Sequence, residues 1–210
     1  VVVGNPPYLG MGDIHKDSKA YFEGTKGRKG IPGAYPRAKS DLYACFLERG
    51  LELVKKGGIS AMITMRGWMF IKSYEDFRAN ILENQRLLLL GDLHFGAFSQ
   101  VRDVSVTMSV FINSGSTVNP RVIRPVEYVK IVRDLEQPFR NMSGLLCPHQ
   151  SYTPNVINLR GIEGWPLIYW WDDNDLEVML ESKTLDKISD NGAGMQTSNN
   201  PRFLRTTWEI

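Results

Sequence analysis

Cysteine is rare in this chain of 210 residues, and charge of neither sign dominates. The two cysteines, Cys45 and Cys147, form no Cys-x-x-Cys pair, which argues against a disulfide framework and a zinc site and is typical of a reducing cytosol. No apolar run approaches the roughly 18 residues of a membrane helix, so we expect no membrane span. Since the two cysteines form no Cys-x-x-Cys pair, we also expect no metal centre. The net charge of +2 is too small to indicate a nucleic-acid partner by itself.

The remaining composition is that of an ordinary globular chain. Hydrophobic residues make up 42% of it and charged residues 23%, and its length suits one domain or one and a half. The chain starts within an apolar, strand-like run and without Met. We therefore expect it to be a fragment of a longer protein.

The most informative stretch is the first, Val1-Val2-Val3-Gly4-Asn5-Pro6-Pro7-Tyr8. Three β-branched residues predict a buried strand of the kind that parallel sheets contain, and Gly4 ends it. Each proline fixes its own φ near about −65°, lacks an N–H, and restricts the residue before it to extended conformations. The sequence therefore predicts a stiff turn at the carboxyl end of a strand, where open α/β sheets bind ligands.

Asn5-Pro6-Pro7-Tyr8 after an apolar strand resembles motif IV of the amino-methyltransferases, which transfer a methyl group from S-adenosylmethionine (SAM) to an exocyclic or amide nitrogen. The resemblance implies that these four residues form the catalytic turn. An adenine N6 amine is a poor nucleophile because its lone pair is delocalised into the ring. The side-chain oxygen of Asn5 and the carbonyl oxygen of Pro6 would accept its two N–H bonds and localise the lone pair. Tyr8 would stack on the base, and Asn5 would also border the cofactor.

The segment after residue 40 resembles further motifs of the same family. Ser40 can cap a helix from about 41 to 56, and Asp41-Leu42-Tyr43 at its start resembles motif V, a helix beside the SAM pocket. The resemblance implies that Asp41 and Tyr43 contact SAM, although a half-buried helix explains most of this segment. A strand predicted over 59–65 resembles motif VI.

The next segment alternates between helix and strand patterns. It predicts a helix over 74–84, a strand over 86–93 that is buried on both faces, and an antiparallel strand over 104–112. In the family, an aromatic residue in the loop before the last strand lies opposite the motif IV ring. Phe98 has the spacing that fits this position best, so it is predicted to be the second stacking face for the base.

The segment from Leu9 to Lys39 has no sustained period and contains more basic than acidic residues, with aromatic residues between them. Loops of this length are usually functional or disordered. Basic and aromatic side chains beside a base pocket suit phosphate contact and base stacking. A solvated loop is the alternative, but the proximity of Tyr8 favours DNA contact through Lys26, Arg28 and Lys29.

The pattern changes after residue 113, where prolines separate short apolar pieces. We place the boundary there, between a catalytic half-domain over 1–115 and a linker with the start of a recognition domain over 116–210. Residues 126–135 fit either a short helix or an edge strand. The sequence also predicts a helix over 175–189 and a small core that contains Trp165, Trp170 and Trp171.

The segment from Gly192 to Arg205 resembles the Gly-x-x-Thr-Gly-x-Asn-x-x-Phe segment that opens the target-recognition domain of fused adenine-specific DNA methyltransferases. These include the single-chain restriction–modification enzymes and the BREX phage-defence methyltransferases. Ser198 replaces a usual glycine. The resemblance implies that Gln196, Thr197 and Asn199 contact phosphates or base edges.

The predicted fold class is α/β. We expect the C-terminal half of a Rossmann-like SAM-dependent methyltransferase sheet, mostly parallel with a closing antiparallel strand, followed by part of a smaller α+β recognition domain. The implied function is SAM-dependent methylation of adenine N6 in double-stranded DNA, on a base flipped out of the helix. The setting would be host-protective modification or phage defence in the cytoplasm of a bacterium or archaeon, with other restriction or phage-defence subunits as candidate partners.

The main SAM-binding motifs of the family, a glycine-rich loop and an acidic residue for the ribose, do not occur in this sequence. We therefore expect the isolated chain to bind SAM weakly or not at all and to be inactive. Two alternatives stay open. One is methylation of a protein glutamine or a ribosomal RNA guanine by the same chemistry, and the other is a non-catalytic DNA-recognition fragment. The basic loop and the segment over 192–205 favour DNA.

Overall fold

The computed structural model of the chain describes residues 1–23, 33–38, 41–95, 97–98, 104–125, 149–183 and 187–189. The chain divides into two compact units, Val1–Leu180 and Glu181–Ile210. Several predicted features lie outside the described residues: the segment 126–135 and the DNA-contact residues Lys26, Arg28, Lys29, Gln196, Thr197 and Asn199.

A six-stranded mixed sheet forms the centre of the first unit. Its strands are β1 (Val2–Gly4), β2 (Ile59–Met65), β3 (Arg86–His94), β4 (Val106–Ile112), β5 (Arg121–Pro125) and β6 (His149–Tyr152). Their spatial order is β1-β2-β4-β3-β5-β6. Strands β1, β2, β3 and β5 run in one direction and β4 and β6 run in the other, which confirms the predicted α/β class and mostly parallel sheet.

Strand β4 is antiparallel, as its alternating pattern predicts, but it lies inside the sheet. It pairs with β2 on one side, where Ala61 faces Val110, and with β3 on the other, where Leu90 faces Ser109. The edge next to β5 is closed instead by β6, whose Ser151 faces Ile123. The position of β4 follows from its pairing on both sides, which sequence periodicity does not report.

The prediction that β3 is buried on both faces is wrong. Leu87 and Leu90 are buried, but Leu89 is 37% exposed. The register of β3 against β4 shifts between Leu87 and Leu89, so one extra residue breaks the alternation and turns a leucine outward.

In the described part of the chain, four helices accompany the sheet: α1 (Lys16–Glu23), α2 (Leu42–Leu53), α3 (Glu75–Asn84) and α4 (Asp173–Glu181). Helix α2 is capped by Asp41, whose Oδ1 accepts a hydrogen bond from the backbone N–H of Tyr43. A 3₁₀ turn over Lys72–Tyr74 leads directly into α3, which has no side-chain cap at its start. No helix among the described residues is long and apolar enough to cross a membrane.

Arg78 of α3 is a charged side chain that is completely buried. Its guanidinium donates to four backbone carbonyl groups, those of Trp68, Ile71, Gly164 and Trp165. Burial lowers the pKa of Arg78 to about 10, so the group stays charged at neutral pH. Arg78 thereby joins the segment after β2 to the turn at Gly164 and Trp165, both of which have positive φ.

The sheet continues across the predicted boundary at residue 115. β5 pairs with β3, and the side-chain hydroxyl of Thr117 donates to the carbonyl of Gln85 and accepts from the N–H of Leu87. Trp165 is buried, as predicted, whereas Trp170 is 39% exposed. The division into a catalytic and a recognition part stays a prediction about function, since the sheet does not end at that position.

Candidate functional site

The turn over Asn5–Tyr8 follows β1 directly, at the carboxyl end of that strand. Pro6 is buried and anchors the turn, while Asn5 is exposed and Tyr8 is half-buried. The Tyr8 hydroxyl donates a hydrogen bond of 3.0 Å to Oδ1 of Asn5. No described residue donates to the carbonyl oxygen of Pro6. The turn therefore presents an amide oxygen and a carbonyl oxygen beside one aromatic ring.

Asp41, at the start of α2, holds the far end of this turn. Its Oδ1 accepts from the backbone N–H of Leu9 at 3.0 Å as well as from that of Tyr43 at 3.2 Å. The N–H of Leu42 donates in return to the carbonyl of Leu9, 3.0 Å away. Burial raises the pKa of Asp41, and the backbone hydrogen bonds oppose that rise. One carboxylate thus caps the helix and fixes the exit of the Asn5–Tyr8 turn.

Two aromatic side chains flank Tyr8. Its ring meets that of Tyr43 edge-on, with centroids 6.4 Å apart and an interplanar angle of 88°. The ring of Phe98 also lies 6.4 Å away, tilted by 44°. Phe98 and Tyr8 both pack against the small cluster of Ala97 and Val106. The structure thus brings together Tyr8 and Phe98, the two residues predicted to hold a base.

The separation of these two rings sets the size of what fits between them. A base stacked on both faces needs parallel rings about 7 Å apart, twice the contact distance of about 3.5 Å between carbon atoms. The observed 6.4 Å with a 44° tilt is slightly too narrow. Phe98 is only partly buried, and a base could lie between the two rings only if Phe98 moved.

Tyr43 backs Tyr8 from inside the protein. It is 2% exposed, and its ring also packs against that of Tyr74, with centroids 5.9 Å apart. Burial raises the pKa of Tyr43 strongly and that of Tyr8 to about 12, so both phenols stay protonated at neutral pH. The observed contacts of Asp41 and Tyr43 are structural. Their contact with SAM stays a prediction.

A second polar group lies at the same end of the sheet and was not predicted from the sequence. Asp92 of β3 is fully buried and accepts two hydrogen bonds from Nε and Nη2 of Arg66, at 2.8 and 2.9 Å, and one from the hydroxyl of Tyr169, at 2.5 Å. The available signal was one acidic residue within an apolar strand. A buried carboxylate requires partners, but their positions in the sequence cannot be deduced from it.

The sequence of the chain is similar to those of a known protein family and of two curated proteins. Residues 1–98 match the family model described as Eco57I restriction-modification methylase. The chain is 30% identical over 217 residues to the adenine-specific methyltransferase PglX of Lacticaseibacillus casei (strain Zhang), a match that covers 100% of this chain and 17% of PglX. It is 29% identical over 170 residues to the adenine-specific methyltransferase BrxX of Escherichia coli O9:H4 (strain HS), covering 80% of this chain and 13% of BrxX. The chain therefore spans less than a fifth of the length of these curated relatives.

Solved structures support the fold. A modification subunit of a putative type I restriction enzyme from Vibrio vulnificus YJ016 superposes with a TM-score of 0.51 at 15% identity, over 84% of this chain and 39% of that one. A chain from a type I restriction–modification system gives a TM-score of 0.51 at 18% identity, over 89% of this chain and 40% of that one. The resemblance stated from the Asn-Pro-Pro-Tyr turn is confirmed by the family and curated matches, and the expected sheet by these two structures.

Proposed function

We propose that this chain, whose residues 1–98 match the Eco57I restriction-modification methylase family, is part of a SAM-dependent DNA methyltransferase that acts on adenine N6. The observation that carries the proposal is the Asn5–Tyr8 turn, an exposed carboxamide next to a half-buried ring at the end of a strand. The names of two relatives, both adenine-specific methyltransferases, support adenine as the target.

The reaction requires two hydrogen-bond acceptors directed at one amine. Oδ1 of Asn5 and the carbonyl oxygen of Pro6 take the two N6–H bonds, which favours a pyramidal nitrogen with its lone pair directed away from the ring. The fixed backbone of the two prolines reduces the entropy lost when the base is bound. Asn5 cannot act as a base at neutral pH, so its role is electrostatic and positional.

Tyr8 and Phe98 hold the ring of the flipped adenine between them. Stacking on an aromatic side chain stabilises a bound base by about 1–3 kcal/mol, comparable with the few kcal/mol that base flipping costs. Tyr43 supports Tyr8 from behind and keeps its ring in place. The extrahelical base therefore meets one wall that is already in place, the Tyr8 ring backed by Tyr43.

The residues of this chain fit one side of a SAM site, the side next to the base. Asn5 is exposed, and Asp41 lies half-buried at the start of α2, joined to the catalytic turn through Leu9. When bound, SAM supplies an electrophilic methyl group on a sulfonium centre. Since the glycine-rich and acidic SAM motifs do not occur in this sequence, we propose that residues of the full-length protein outside this chain hold most of the cofactor.

The proposed setting is host-protective DNA modification or phage defence. The substrate would be double-stranded DNA, and other restriction or phage-defence subunits are the proposed partners. The basic segment over 9–39 and the segment over 192–205, to which the sequence analysis assigns DNA contact, belong to this proposal. The names of the relatives do not favour the protein-glutamine and ribosomal-RNA alternatives.

Methyl transfer from labelled SAM in the full-length protein tests the proposal. We expect label in DNA and not in RNA or protein, and we expect Asn5→Ala to reduce the rate by roughly 100-fold or more while DNA binding is kept. Asn174→Ala, which changes an exposed asparagine on α4, is the matched control and should be fully active. Full activity of the Asn5 variant would exclude the mechanism.

A further inference from the structure

Five side chains near the carboxyl ends of β2 and β3 form a closed circuit of contacts. Asp92 binds Arg66 and Tyr169, as described above. The ring of Tyr169 meets that of Trp170 edge-on at 5.0 Å, and the ring of Trp170 packs against that of Phe70 at 5.7 Å. The guanidinium of Arg66 lies over the Phe70 ring, 4.6 Å from its centroid, and completes the circuit. Each member is thereby fixed by two neighbours.

The circuit has a buried side and an exposed side. Asp92 and Tyr169 are buried, whereas the Trp170 residue is 39% exposed and the side chain of Arg66 is 21% exposed. Asp92 accepts from Nε and Nη2 of Arg66. The third guanidinium nitrogen of Arg66, Nη1, has no hydrogen bond within the described part of the chain. The surface therefore presents an oriented indole ring together with a guanidinium that still has free N–H donors.

This exposed surface is connected to the proposed base pocket. The N–H of Arg66 donates to the carbonyl of Ser105 at 2.9 Å, and the residues on both sides of Ser105 pack with Tyr8 and Phe98 in one cluster. Gly67, next to Arg66, lies close to the Tyr43 hydroxyl, and Tyr43 backs Tyr8. One layer of residues thus separates the circuit from the catalytic turn.

Aromatic rings and guanidinium planes are the side chains on which unpaired nucleobases stack. A ring held on its inner side by two other aromatic residues loses little side-chain entropy when a base covers it. The free N–H donors of Arg66 can also reach a base edge or a phosphate, which a lipid tail or an aliphatic peptide surface would not use. An unpaired base is therefore the ligand that matches both the indole ring of Trp170 and the guanidinium of Arg66.

We propose that Trp170, supported by Phe70 and Arg66, stacks on a second nucleobase of the DNA substrate, one that base flipping leaves unpaired and that is distinct from the adenine held by Tyr8. The inference rests on the proposed function, because it takes DNA as the substrate. It assigns Trp170 to DNA binding and Asp92 and Tyr169 to positioning. The surface accepts any base, because every base has a π-face.

A labelled oligothymidylate of about 20 nucleotides, titrated into the full-length protein and followed by fluorescence anisotropy, tests this surface. Trp170→Leu keeps an apolar side chain but removes the aromatic face, and we expect it to weaken binding by roughly 5- to 100-fold. Trp170→Phe should keep most of the affinity. Ile157→Ala changes another exposed apolar side chain, 51% exposed against 39% for Trp170, and should bind like the wild type.

The outcomes separate this inference from the proposed function. If Trp170→Leu binds the oligonucleotide as tightly as the wild type, or if Trp170→Phe loses as much affinity as Trp170→Leu, the stacking surface is excluded, even where methyl transfer to DNA is intact. If the wild type does not bind the oligonucleotide, the surface is also excluded. If Trp170-dependent binding is found without any methyl transfer to DNA, the proposed function fails while DNA binding at this surface stands.

Discussion

The hydroxyl of Tyr8 donates to Oδ1 of Asn5, the same oxygen that is proposed to accept an N–H of adenine. In the absence of a base, this bond satisfies the exposed amide oxygen and fixes the carboxamide relative to the ring. An incoming amine competes with the phenol for one oxygen, which can accept two hydrogen bonds. The contact therefore orients the side-chain amide of Asn5 and weakens substrate binding only slightly.

Replacing Tyr8 separates the role of the ring from that of the hydroxyl. Tyr8→Phe keeps the stacking face and removes a hydrogen bond of about 1 kcal/mol, so we expect methyl transfer within roughly tenfold of the wild type. Tyr8→Ala removes the stacking face and should raise the KM for DNA by roughly 5- to 100-fold. Steady-state kinetics with labelled SAM measure both. Equal loss in the two variants would assign the effect to the hydroxyl.

Asp41 is predicted to act through its oxygen atoms more than through its charge. Burial raises the pKa of Asp41, so the ionised form of its carboxyl group is disfavoured in the folded protein. The protonated carboxyl group therefore contributes stability that is full at low pH. This stability is lost as the pH rises through the folded-state pKa. Asp41→Asn keeps an acceptor for Leu9 and Tyr43, so it should be as stable as the wild type at pH 7 or more stable. Asp41→Ala should lose about 0.5–2 kcal/mol of cap stabilisation. Urea unfolding at neutral and acidic pH measures these differences, and a large loss in Asp41→Asn would contradict them.

Arg78 is expected to be among the most sensitive positions for stability. Arg78→Met keeps much of the apolar stem but removes the guanidinium that donates to the carbonyl groups of three buried residues, Trp68, Gly164 and Trp165, and we expect a loss of about 3–5 kcal/mol in the free energy of unfolding. Hydrogen exchange should also accelerate at Leu167, whose N–H donates to the carbonyl of Met69. The control is Arg160→Met, since Arg160 forms an exposed ion pair with Glu83 and should contribute less than about 1 kcal/mol. Similar losses in both variants would refute the assignment.

His94 makes stability depend on pH near neutrality. Burial lowers its pKa below the ordinary value of 6.5, Arg66 and Arg124 lower it further, and Asp92 opposes them. The unfolded chain therefore binds a proton before the folded one does, so stability is full above about pH 6.5 and falls as the pH drops through the folded-state pKa. His94→Asn tolerates the left-handed backbone, where φ is 56°, and should flatten this decline.

Chemical unfolding between about pH 5 and 8 measures the effect of His94. The matched control is His15→Asn, because the side chain of His15 is 79% exposed and should leave the pH profile unchanged. A decline of the same steepness in His94→Asn and in the wild type would show that another group causes it.

Local sequence patterns predicted the individual strands better than they predicted which strands lie next to each other in the sheet. The alternation over 104–112 gave an antiparallel strand, and the β-branched run before Gly4 gave β1, because both signals lie within a few residues. The prediction that this first strand is buried is wrong, since Val3 is 76% exposed. The position of β4 between β2 and β3 depends on contacts distant in sequence. The bulge that exposes Leu89 depends on the partner strand, so a row of leucines could not reveal it.

The candidate site was predictable where its chemistry lies in consecutive residues. Asn5–Tyr8 is one such stretch, and the spacing of Phe98 from the next strand was enough to place it beside Tyr8. The circuit around Asp92 could not be predicted, because Arg66, Asp92 and Tyr169 come from three separate segments. Only the folded chain shows that Tyr169 binds Asp92 of β3 and that Trp170 packs against Phe70, which follows β2.

The insertion of β4 between β2 and β3 affects the order in which the protein is made. During synthesis, β2 and β3 leave the ribosome before the strand that joins them, so each has an unpaired edge until residue 112 has emerged. A nascent chain paused before that point exposes two ready templates for intermolecular pairing. The need for chaperones at these two edges should therefore be greatest during a short interval of translation. It should end when β4 has paired with β2 and β3.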